Sequence, residues 1–241
     1  MGNAPSNADN NANAIEEKNT SKSLIKGQPW TTPSLNMQLV YVAPVTFQTG
    51  MNAEYSKGKP AHSVTISQGY WIGKHEVTHD EFYYEYNKAM ASSSSEFKGG
   101  DEAVETVTWG EAVDFCQKLT SRERTAGRLP DGYEYRLPTE AEWEFAVRSG
   151  ATSKGYGKET HEVGSKSANE LDIYDYDIEW CLDDGHGTRL RDCPSSHRKI
   201  RGGGWHCYTS YCRVTVRPDN SSDGSLNYCL SFRVGMAPIS K

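Results

Sequence analysis

One short motif, Thr-x-x-Glu, constrains the fold of this chain more than any other feature. At Thr78, Thr108 and Thr139 the motif is followed by apolar residues at helical spacing. In such a capping box the threonine side chain accepts a backbone N–H three residues on, and the glutamate reaches back to the threonine N–H. Each box pairs N–H groups that a helix start leaves unpaired, so the motif predicts helices beginning at these three positions.

Strand-like segments lie on both sides of the helices. The run 37–50 predicts strand with a break at Pro44, because proline has no N–H to donate to a sheet. Further strand-like segments are 62–67, 69–77, 178–182 and 230–234. Between the second and third helices, the glycines and proline of 124–136 predict turns. Strands at both ends with helices between them predict an α+β fold.

The first part of the chain differs in composition from the rest. Residues 1–34 are rich in Asn, Ala, Ser, Lys and Glu, so they cannot bury enough surface to offset the entropy lost on folding. We therefore predict a disordered polar tether at 1–34 and a folded domain at 35–241. Such a tether is typical of the segment after the lipidated cysteine of a bacterial lipoprotein, which predicts an anchor at the cell surface or outer membrane. An ordinary flexible terminus explains the same composition.

Charge and hydropathy exclude several classes of function. The formal net charge of −6 argues against a nucleic-acid partner, since neutralising phosphates requires a basic face. No apolar run approaches the roughly 18–20 residues that cross a bilayer. We therefore expect a soluble, monomeric domain that meets a membrane only through the possible lipid anchor.

Cysteine and histidine spacing gives no metal signature. The six cysteines include no C-x-x-C pair, and no two histidines have compact ligand spacing, so we predict no metal site and no cofactor. Cys116 lies on the apolar side of the second predicted helix, which predicts a buried free thiol. The acidic residues within 172–184 are compatible with a calcium site or with a solvated loop.

The segment 201–234 has an unusual composition. It opens with Gly202–Gly204 and closes on the apolar run 230–234, and between them His206–Cys229 contains no Lys, Glu, Gln or Met. Tyrosine supplies rigid amphipathic contact area, while Ser, Asn and Gly supply adaptable hydrogen bonds, as in antibody paratopes. The composition predicts a recognition surface held between fixed ends.

Four parts of the chain resemble the formylglycine-generating-enzyme/sulfatase-modifying-factor family, which has a variant of the C-type lectin fold. They are the runs at Gly73 (GKHEVT), Val107 (VTWGEAVDFC) and Tyr135 (YRLPTEAEWEFA), and the set at Arg201 (RGGGW), Cys212 (CRV) and Phe232 (FRV). The resemblance covers about residues 37–236, and the run at Tyr135 is its most specific part. It implies a C-type-lectin-like fold of the formylglycine-generating-enzyme type.

The family also implies one alternative function. Its enzymes hold copper(I) on two cysteines in a C-x-x-x-x-C segment after Gly-Gly-Ser, and they react with oxygen. Cys207 and Cys212 have this separation after Gly202–Gly204, and thiolates are soft ligands suited to copper(I). The alternative is therefore a copper-dependent formylglycine-generating oxidoreductase. However, Gly204 stands where the family has serine, and Tyr176–Cys181 lacks the Gly and Asn of the family's GNVWEW motif. These departures favour a chain that is not an enzyme.

The same segment is similar to the variable proteins of diversity-generating retroelements, those of treponemes in particular. In such proteins randomised adenines, chiefly in AAY codons, yield residues other than Lys, Glu, Gln, Met and Trp. The resemblance implies a surface-displayed protein whose ligand is a protein or glycan on another cell. It implies a fixed framework of Trp205, Arg213, Arg217, Phe232 and Arg233. The residues that it assigns to ligand binding are Trp205, His206, Cys207, Tyr208, Ser210, Tyr211, Val216, Asp219, Asn220, Ser221, Asp223, Gly224, Asn227, Tyr228 and Cys229. A Tyr- and Ser-rich loop with no diversification behind it is the other interpretation.

Overall fold

The structure, a computed structural model, describes residues 26–49, 61–86, 100–148, 169, 171, 173, 178–184, 198–202 and 230–239. The strands are β1 (Trp30–Thr31), β2 (Gln38–Val42), β3 (Val45–Thr49), β4 (His62–Ile66), β5 (Tyr70–Gly73), β6 (Tyr133–Arg136), β7 (Ile178–Asp184), β8 (Arg198–Gly202), β9 (Leu230–Ser231) and β10 (Gly235–Pro238). The helices are α1 (His79–Tyr86), α2 (Trp109–Thr125) and α3 (Glu140–Arg148). This mixture of strands and helices confirms the predicted α+β class.

All three predicted capping boxes are present. The Thr78 N–H donates to the Glu81 carboxylate at 2.9 Å, and the Glu81 N–H donates to Thr78 Oγ1 at 3.2 Å. The boxes at Thr108 and Thr139 have the same pair of bonds, at 2.8 and 3.2 Å in each case. Each helix therefore begins at the residue after the threonine that caps it.

The strands form three groups. The main sheet has the order β1-β2-β5-β10-β6, and its described pairs are all antiparallel. Strands β3 and β4 form a two-stranded antiparallel ribbon. In the third group β7 lies in the centre, antiparallel to β8 and parallel to β9. Because β10 lies between β5 and β6, it is an interior strand of the main sheet.

Helix α2 covers the outer edge of β6. The Thr120 hydroxyl accepts the Tyr135 N–H at 2.8 Å and donates to the Tyr135 C=O at 3.1 Å. The Arg124 guanidinium donates to the Tyr133 C=O at 2.9 Å. An unpaired strand edge is a template for pairing with another chain, and these side chains occupy the edge groups instead.

Two apolar clusters lie on opposite faces of the main sheet, as the alternation of side chains along a strand requires. The larger cluster includes Leu39, Trp71, Phe82, Phe115, Leu119 and Met236, and the smaller includes Val40, Ile72, Trp143, Ala146 and Ala237. Cys116 lies in the larger cluster as a buried free thiol, which confirms its prediction. None of the helices in the described ranges is long and apolar enough to cross a membrane.

The folded domain begins earlier than predicted. Trp30 is buried, and its indole N–H donates to the Tyr135 hydroxyl at 2.9 Å. The Trp71 indole N–H donates to the Gln28 C=O at 2.8 Å. The prediction of a tether at 1–34 is therefore wrong from residue 26 onward, because one large aromatic anchor outweighs the polar composition around it.

Several strand predictions also need correction. The run 124–136 does contain turns, since Gly127 and Gly132 have φ of 67° and 78°, but its last residues form β6. The predicted strand 230–234 is broken, because β9 ends at Ser231 and β10 begins at Gly235. Strands β8 (RKIRG) and β10 (GMAP) were not predicted. Both sequences are short and lack the alternation of apolar and polar residues that marks a strand.

Candidate ligand-binding site

The predicted recognition surface starts and ends on two sides of one strand. We call residues 203–229 the recognition segment; all of them lie outside the described residues, including every predicted ligand-binding residue. The residues that flank it, Gly202 in β8 and Leu230 in β9, are both register partners of Ile178 in β7. Neighbouring strands are about 4.8 Å apart, so these two flanking residues are about 10 Å apart. The structure thus fixes the two points from which the segment is held.

The start of the segment is fixed by a buried arginine. Arg201 is 1% exposed, and its guanidinium lies 2.7 Å from Glu144 and 3.0 Å from Glu140, both in α3. The hydroxyl of Thr49, the last residue of β3, donates to the same oxygen of Glu144 at 2.7 Å. The next residue, Gly202, has φ of 92°, a conformation that favours glycine.

The end of the segment is fixed by a second buried arginine. Arg233 is fully buried and binds both carboxylate oxygens of Glu179 in β7, with Nε at 2.6 Å. The same guanidinium lies 3.3 Å from Glu76 and donates to the Gly73 C=O at 3.1 Å. Two-point hydrogen bonding between arginine and a carboxylate fixes both distance and orientation.

Phe232 joins this end to the larger apolar cluster. It is fully buried, and its ring centroid lies 5.3 Å from that of Phe115 in α2 and 6.1 Å from that of Phe82 in α1. Both contacts are edge-to-face, the geometry that aromatic quadrupoles favour. The burial of Phe232 and Arg233 agrees with their predicted framework role, while Trp205, Arg213 and Arg217 lie outside the described residues.

The loop before α2 supports the same end. The Val107 N–H donates to the Leu230 C=O at 3.2 Å, and the Trp180 indole N–H donates to the Val107 C=O at 2.6 Å. Thr106 has φ of 60°, which is an outlier for a β-branched residue. Such strain persists only where the surrounding structure fixes the backbone, and it is often found at functional sites.

Acidic groups around the start of α3 have displaced pKa values. Burial raises the pKa of Asp183 to about 6, and the nearby carboxylates of Glu140 and Glu142 also raise it. The hydrogen bond that Asp183 accepts from the Glu140 N–H opposes this shift. Burial alone would raise the pKa of Glu142, but its ion pair with Arg136 at 2.7 Å outweighs burial and holds that pKa below its usual range.

The described residues provide a frame and contain no reactive thiol. Burial raises the pKa of Cys116 and Cys181 well above the usual thiol value, so both thiols are protonated and weakly nucleophilic at neutral pH. Among the residues that the structure describes, no three or more His, Cys, Asp or Glu side chains are grouped to hold a metal ion. Cys207 and Cys212, the copper ligands of the alternative function, lie outside the described residues.

Sequence reasoning missed the carboxylates that hold the frame. The sequence places Glu140, Glu142 and Glu144 in the first turns of α3, where the helix dipole alone explains them. In the structure each of them pairs with a buried arginine, either Arg136 or Arg201. The sequence did contain a signal for these ion pairs. Glutamates stand on an otherwise apolar helix, and arginines stand in glycine-rich or apolar runs elsewhere in the chain.

The profile of the family described as "Sulfatase-modifying factor enzyme 1-like domain" matches residues 26–161. The chain belongs to this family. It is 27% identical to the chaperone protein LppX of Paenibacillus barcinonensis, over 69% of this chain and 78% of that protein. It is 29% identical to the formylglycine-generating enzyme of Streptomyces coelicolor, over 49% of this chain and 48% of the enzyme. The chain thus matches only about half the length of that enzyme.

Solved structures of the same fold include a variable protein. Treponema denticola variable protein 1 superposes with a TM-score of 0.68 and 27% identity, over 88% of this chain and 99% of that one. PvdO from Pseudomonas aeruginosa superposes with a TM-score of 0.70 at 18% identity, over 89% and 99% of the two chains, and shows the fold alone. These findings confirm the C-type-lectin-like fold of this family and the predicted resemblance to a treponemal variable protein.

Proposed function

We propose that this protein is a surface-displayed ligand-binding protein whose recognition segment is diversified and contacts the ligand. One observation carries the proposal. The described fold holds the two ends of the segment about 10 Å apart on either side of β7, and a separate buried arginine fixes each end. This arrangement supports a division into a constant frame and an exchangeable part, the usual division between a scaffold and a functional loop.

The frame is suited to tolerate such exchange. Its described contacts join framework residues to one another, as in Arg201 with Glu144 and Arg233 with Glu179. Removing one partner of a buried ion pair costs about 3–5 kcal/mol, so these contacts fix the backbone strongly. Exchange of side chains between His206 and Cys229 leaves the partners of both arginines in place.

The segment's composition and the comparisons give further support. Tyr, Ser, Asn, Asp and Gly make up half of the residues from His206 to Cys229, and Lys, Glu, Gln and Met do not occur there. The similarity to Treponema denticola variable protein 1 covers 99% of that chain. We propose that the ligand is a protein or glycan on another cell, and that a lipid anchor on the polar N-terminal part holds the protein at the bacterial surface.

The competing function is a copper-dependent formylglycine-generating oxidoreductase that uses Cys207 and Cys212. The observation in its favour is the 29% identity to the Streptomyces coelicolor enzyme. We favour binding because Gly204 replaces the family's serine and because the GNVWEW motif is reduced to YDIEWC at Tyr176–Cys181.

A copper(I) titration separates the two functions. The wild type, Cys207→Ser and Cys212→Ser would each be titrated under reducing conditions against a competing chelator. Our proposal predicts no tight stoichiometric binding in any of the three proteins. Binding of copper(I) by the wild type that both substitutions abolish would support the oxidoreductase instead.

The binding function itself is tested by removing tyrosines from the segment. The combined variant Tyr208→Ala/Tyr211→Ala/Tyr228→Ala would be compared with the wild type on a glycan array and on intact cells. Tyr84→Ala is the matched control, because Tyr84 is a tyrosine of α1 that is 61% exposed and lies outside the segment. We expect the combined variant to lose at least about tenfold in affinity, since buried aromatic anchors dominate binding surfaces. Equal binding by the combined variant and the control would contradict the proposal.

A genomic observation tests diversification independently of binding. A near-copy of the DNA that encodes the recognition segment should lie beside a reverse-transcriptase gene and differ from the coding copy at adenines. The absence of any such copy in the complete genome would contradict diversification.

A further inference from the structure

One carboxylate joins three elements of the fold. Oε2 of Glu144 in α3 accepts hydrogen bonds from the Thr49 hydroxyl and from the Arg201 guanidinium, each at 2.7 Å. Thr49 ends β3, and Arg201 lies one residue before the end of β8. All three residues are at most 3% exposed, so water does not compete for these contacts.

We propose that Glu144 is a positioning residue, which couples the β3–β4 ribbon to the start of the recognition segment. The proposal rests on the proposed function for the meaning of the segment, but the coupling can be measured without a ligand. On this proposal the position of the ribbon influences the position of Gly202, from which the segment begins.

The physical basis is the sharing of one acceptor atom. Hydrogen bonds to a charged group are roughly twice as strong as neutral ones, and they are stronger still in a buried site of low dielectric. When one of the two donors is removed from the shared oxygen, we expect the carboxylate to shift toward the donor that remains. A change at Thr49 is therefore transmitted to Arg201, and a change at Arg201 is transmitted to Thr49.

A second set of contacts ties the ribbon to the same helix. Arg148, one turn after Glu144 in α3, donates to the Gln48 C=O at 2.8 Å and lies 3.6 Å from the Glu144 carboxylate. The rings of Phe47 and Phe145 are 5.3 Å apart. Three successive residues of β3, from Phe47 to Thr49, thus contact α3 beside the carboxylate that holds Arg201.

The other end of the segment lacks this connection among the described contacts. The described partners of Arg233 are Glu179 in β7 and Glu76, Gly73 and Lys74 in and after β5. None of these residues belongs to the ribbon or to α3. We therefore expect a much larger effect at the Gly202 end than at the Leu230 end, which serves as an internal reference.

The test is hydrogen exchange of the full chain carrying Thr49→Val, which keeps the shape of the side chain and removes the hydroxyl. Loss of one hydrogen bond to a charged group predicts about tenfold faster exchange of the β8 amides and of the ribbon. Exchange at Leu230–Val234 should stay within about twofold of the wild type, and Thr49→Ser, which restores a hydroxyl, should return the β8 amides to the wild-type rate.

Thr46→Val is the matched control. Thr46 lies on the same strand, is exposed, and its hydroxyl lies 2.8 Å from that of Thr65 across the ribbon. This variant should leave exchange in β8 unchanged. Acceleration confined to the ribbon in Thr49→Val would overturn the coupling, and so would equal acceleration at both ends of the segment, which indicates a general loss of stability.

A second variant tests the carboxylate itself. Glu144→Gln keeps the volume and one acceptor oxygen but removes the charge that faces Arg201, so β8 exchange should accelerate more than in Thr49→Val. If this variant does not fold, the Thr49 series decides the question alone. A positive exchange result together with unchanged binding by the tyrosine variants would refute the proposed function and leave the coupling intact.

Discussion

The two ends of the recognition segment are fixed by similar chemistry in different surroundings. Arg233, at the Leu230 end, is fully buried between Glu179 and Glu76 and lies beside Phe232 in the larger apolar cluster. Arg201, at the Gly202 end, is also buried, but the Glu140 side chain that it contacts is 17% exposed. The Arg148 side chain next to Glu144 is 43% exposed. One end therefore belongs to the core, and the other lies at the margin of the fold.

This difference bears on the exchange of side chains that we propose for the recognition segment. An end in the core cannot shift without loss of the fold, because close-packed interiors transmit strain. The end at the margin is also held by Glu140 and stands next to Arg148, whose side chains water reaches, and it contacts the β3–β4 ribbon through Glu144. We infer that the Leu230 end sets stability and that the Gly202 end sets the local position of the segment.

The largest effect is expected when the core end loses its main carboxylate. Glu179→Gln leaves the buried guanidinium of Arg233 with a weakened partner and should destabilise the protein by about 4 kcal/mol, as for other broken buried pairs. Urea unfolding measures this loss. Lys118→Ala is the control, since its pair with Asp114 is largely exposed and should contribute no more than about 0.5 kcal/mol. A loss of stability in Glu179→Gln as small as that in Lys118→Ala would contradict the claim that the Leu230 end sets stability.

A smaller effect, dependent on pH, is expected at the margin. The pKa of Asp183 is about 6 in the folded chain against 3.8 in the unfolded one, so the folded state binds this proton more tightly. Stability contributed by protonated Asp183 is present below the unfolded pKa and is lost as pH rises through the folded pKa. Asp183→Asn keeps an acceptor for the Glu140 N–H without a charge. It should exceed the wild type in stability by about 3 kcal/mol at pH 8.

The same variant should lose this advantage as pH falls from 7 to 4. Chemical unfolding of both proteins at several pH values measures the difference between their free energies of unfolding. Contributions that other carboxylates make equally to both proteins cancel in this difference. Glu142 has a lowered pKa in the folded state, so its contribution to stability is lost at low pH, and this holds for both proteins. An advantage that does not change with pH would contradict the account of Asp183.

Removal of one of two carboxylates at the margin should have a modest effect. Glu140→Gln leaves Glu144 paired with Arg201, and the Glu140 side chain already has partial access to water. We expect a loss of about 1 kcal/mol, well below that of Glu179→Gln. Urea unfolding of the two variants side by side measures the ratio, and a larger loss in Glu140→Gln would reverse our comparison.

The smallest effect is expected in the loop that supports the core end. Thr106 has a left-handed backbone, which asparagine adopts more readily than a β-branched residue. Thr106→Asn should therefore stabilise the protein by about 0.5 kcal/mol. A thermal shift measures this gain. A loss of stability would show that the threonine side chain contributes more than its backbone strain costs.

Local features of the sequence predicted local structure. The capping boxes at Thr78, Thr108 and Thr139 gave the helix starts because the interacting groups lie within four residues of each other. Strand β2 and the break before β3 followed from β-branched residues on either side of Pro44. The fold itself came from the family resemblance carried by the run at Tyr135.

Interactions between residues that are distant in the chain could not be predicted from the sequence. Arg201 pairs with Glu144, 57 residues away, and Trp30 donates to Tyr135, 105 residues away. Neither pair leaves a periodic signal, so the frame of the candidate site and the folded residues before residue 35 were missed. The predicted ligand-binding residues from Trp205 to Cys229 lie outside the described residues and stay predictions.

The most direct test of the central claim, a constant frame around an exchangeable segment, is the stability of a library. Tyr208, Tyr211, Asn220, Asn227 and Tyr228 would be randomised together with AAY-derived codons, and thermal unfolding of many variants recorded. A change of 1 kcal/mol shifts the midpoint of a chain of this size by roughly 2–4 °C. We predict that most variants unfold cooperatively with midpoints within about 5 °C of the wild type, which corresponds to less than about 2 kcal/mol. Loss of cooperative unfolding in most variants would contradict the account, because the segment would then be part of the core.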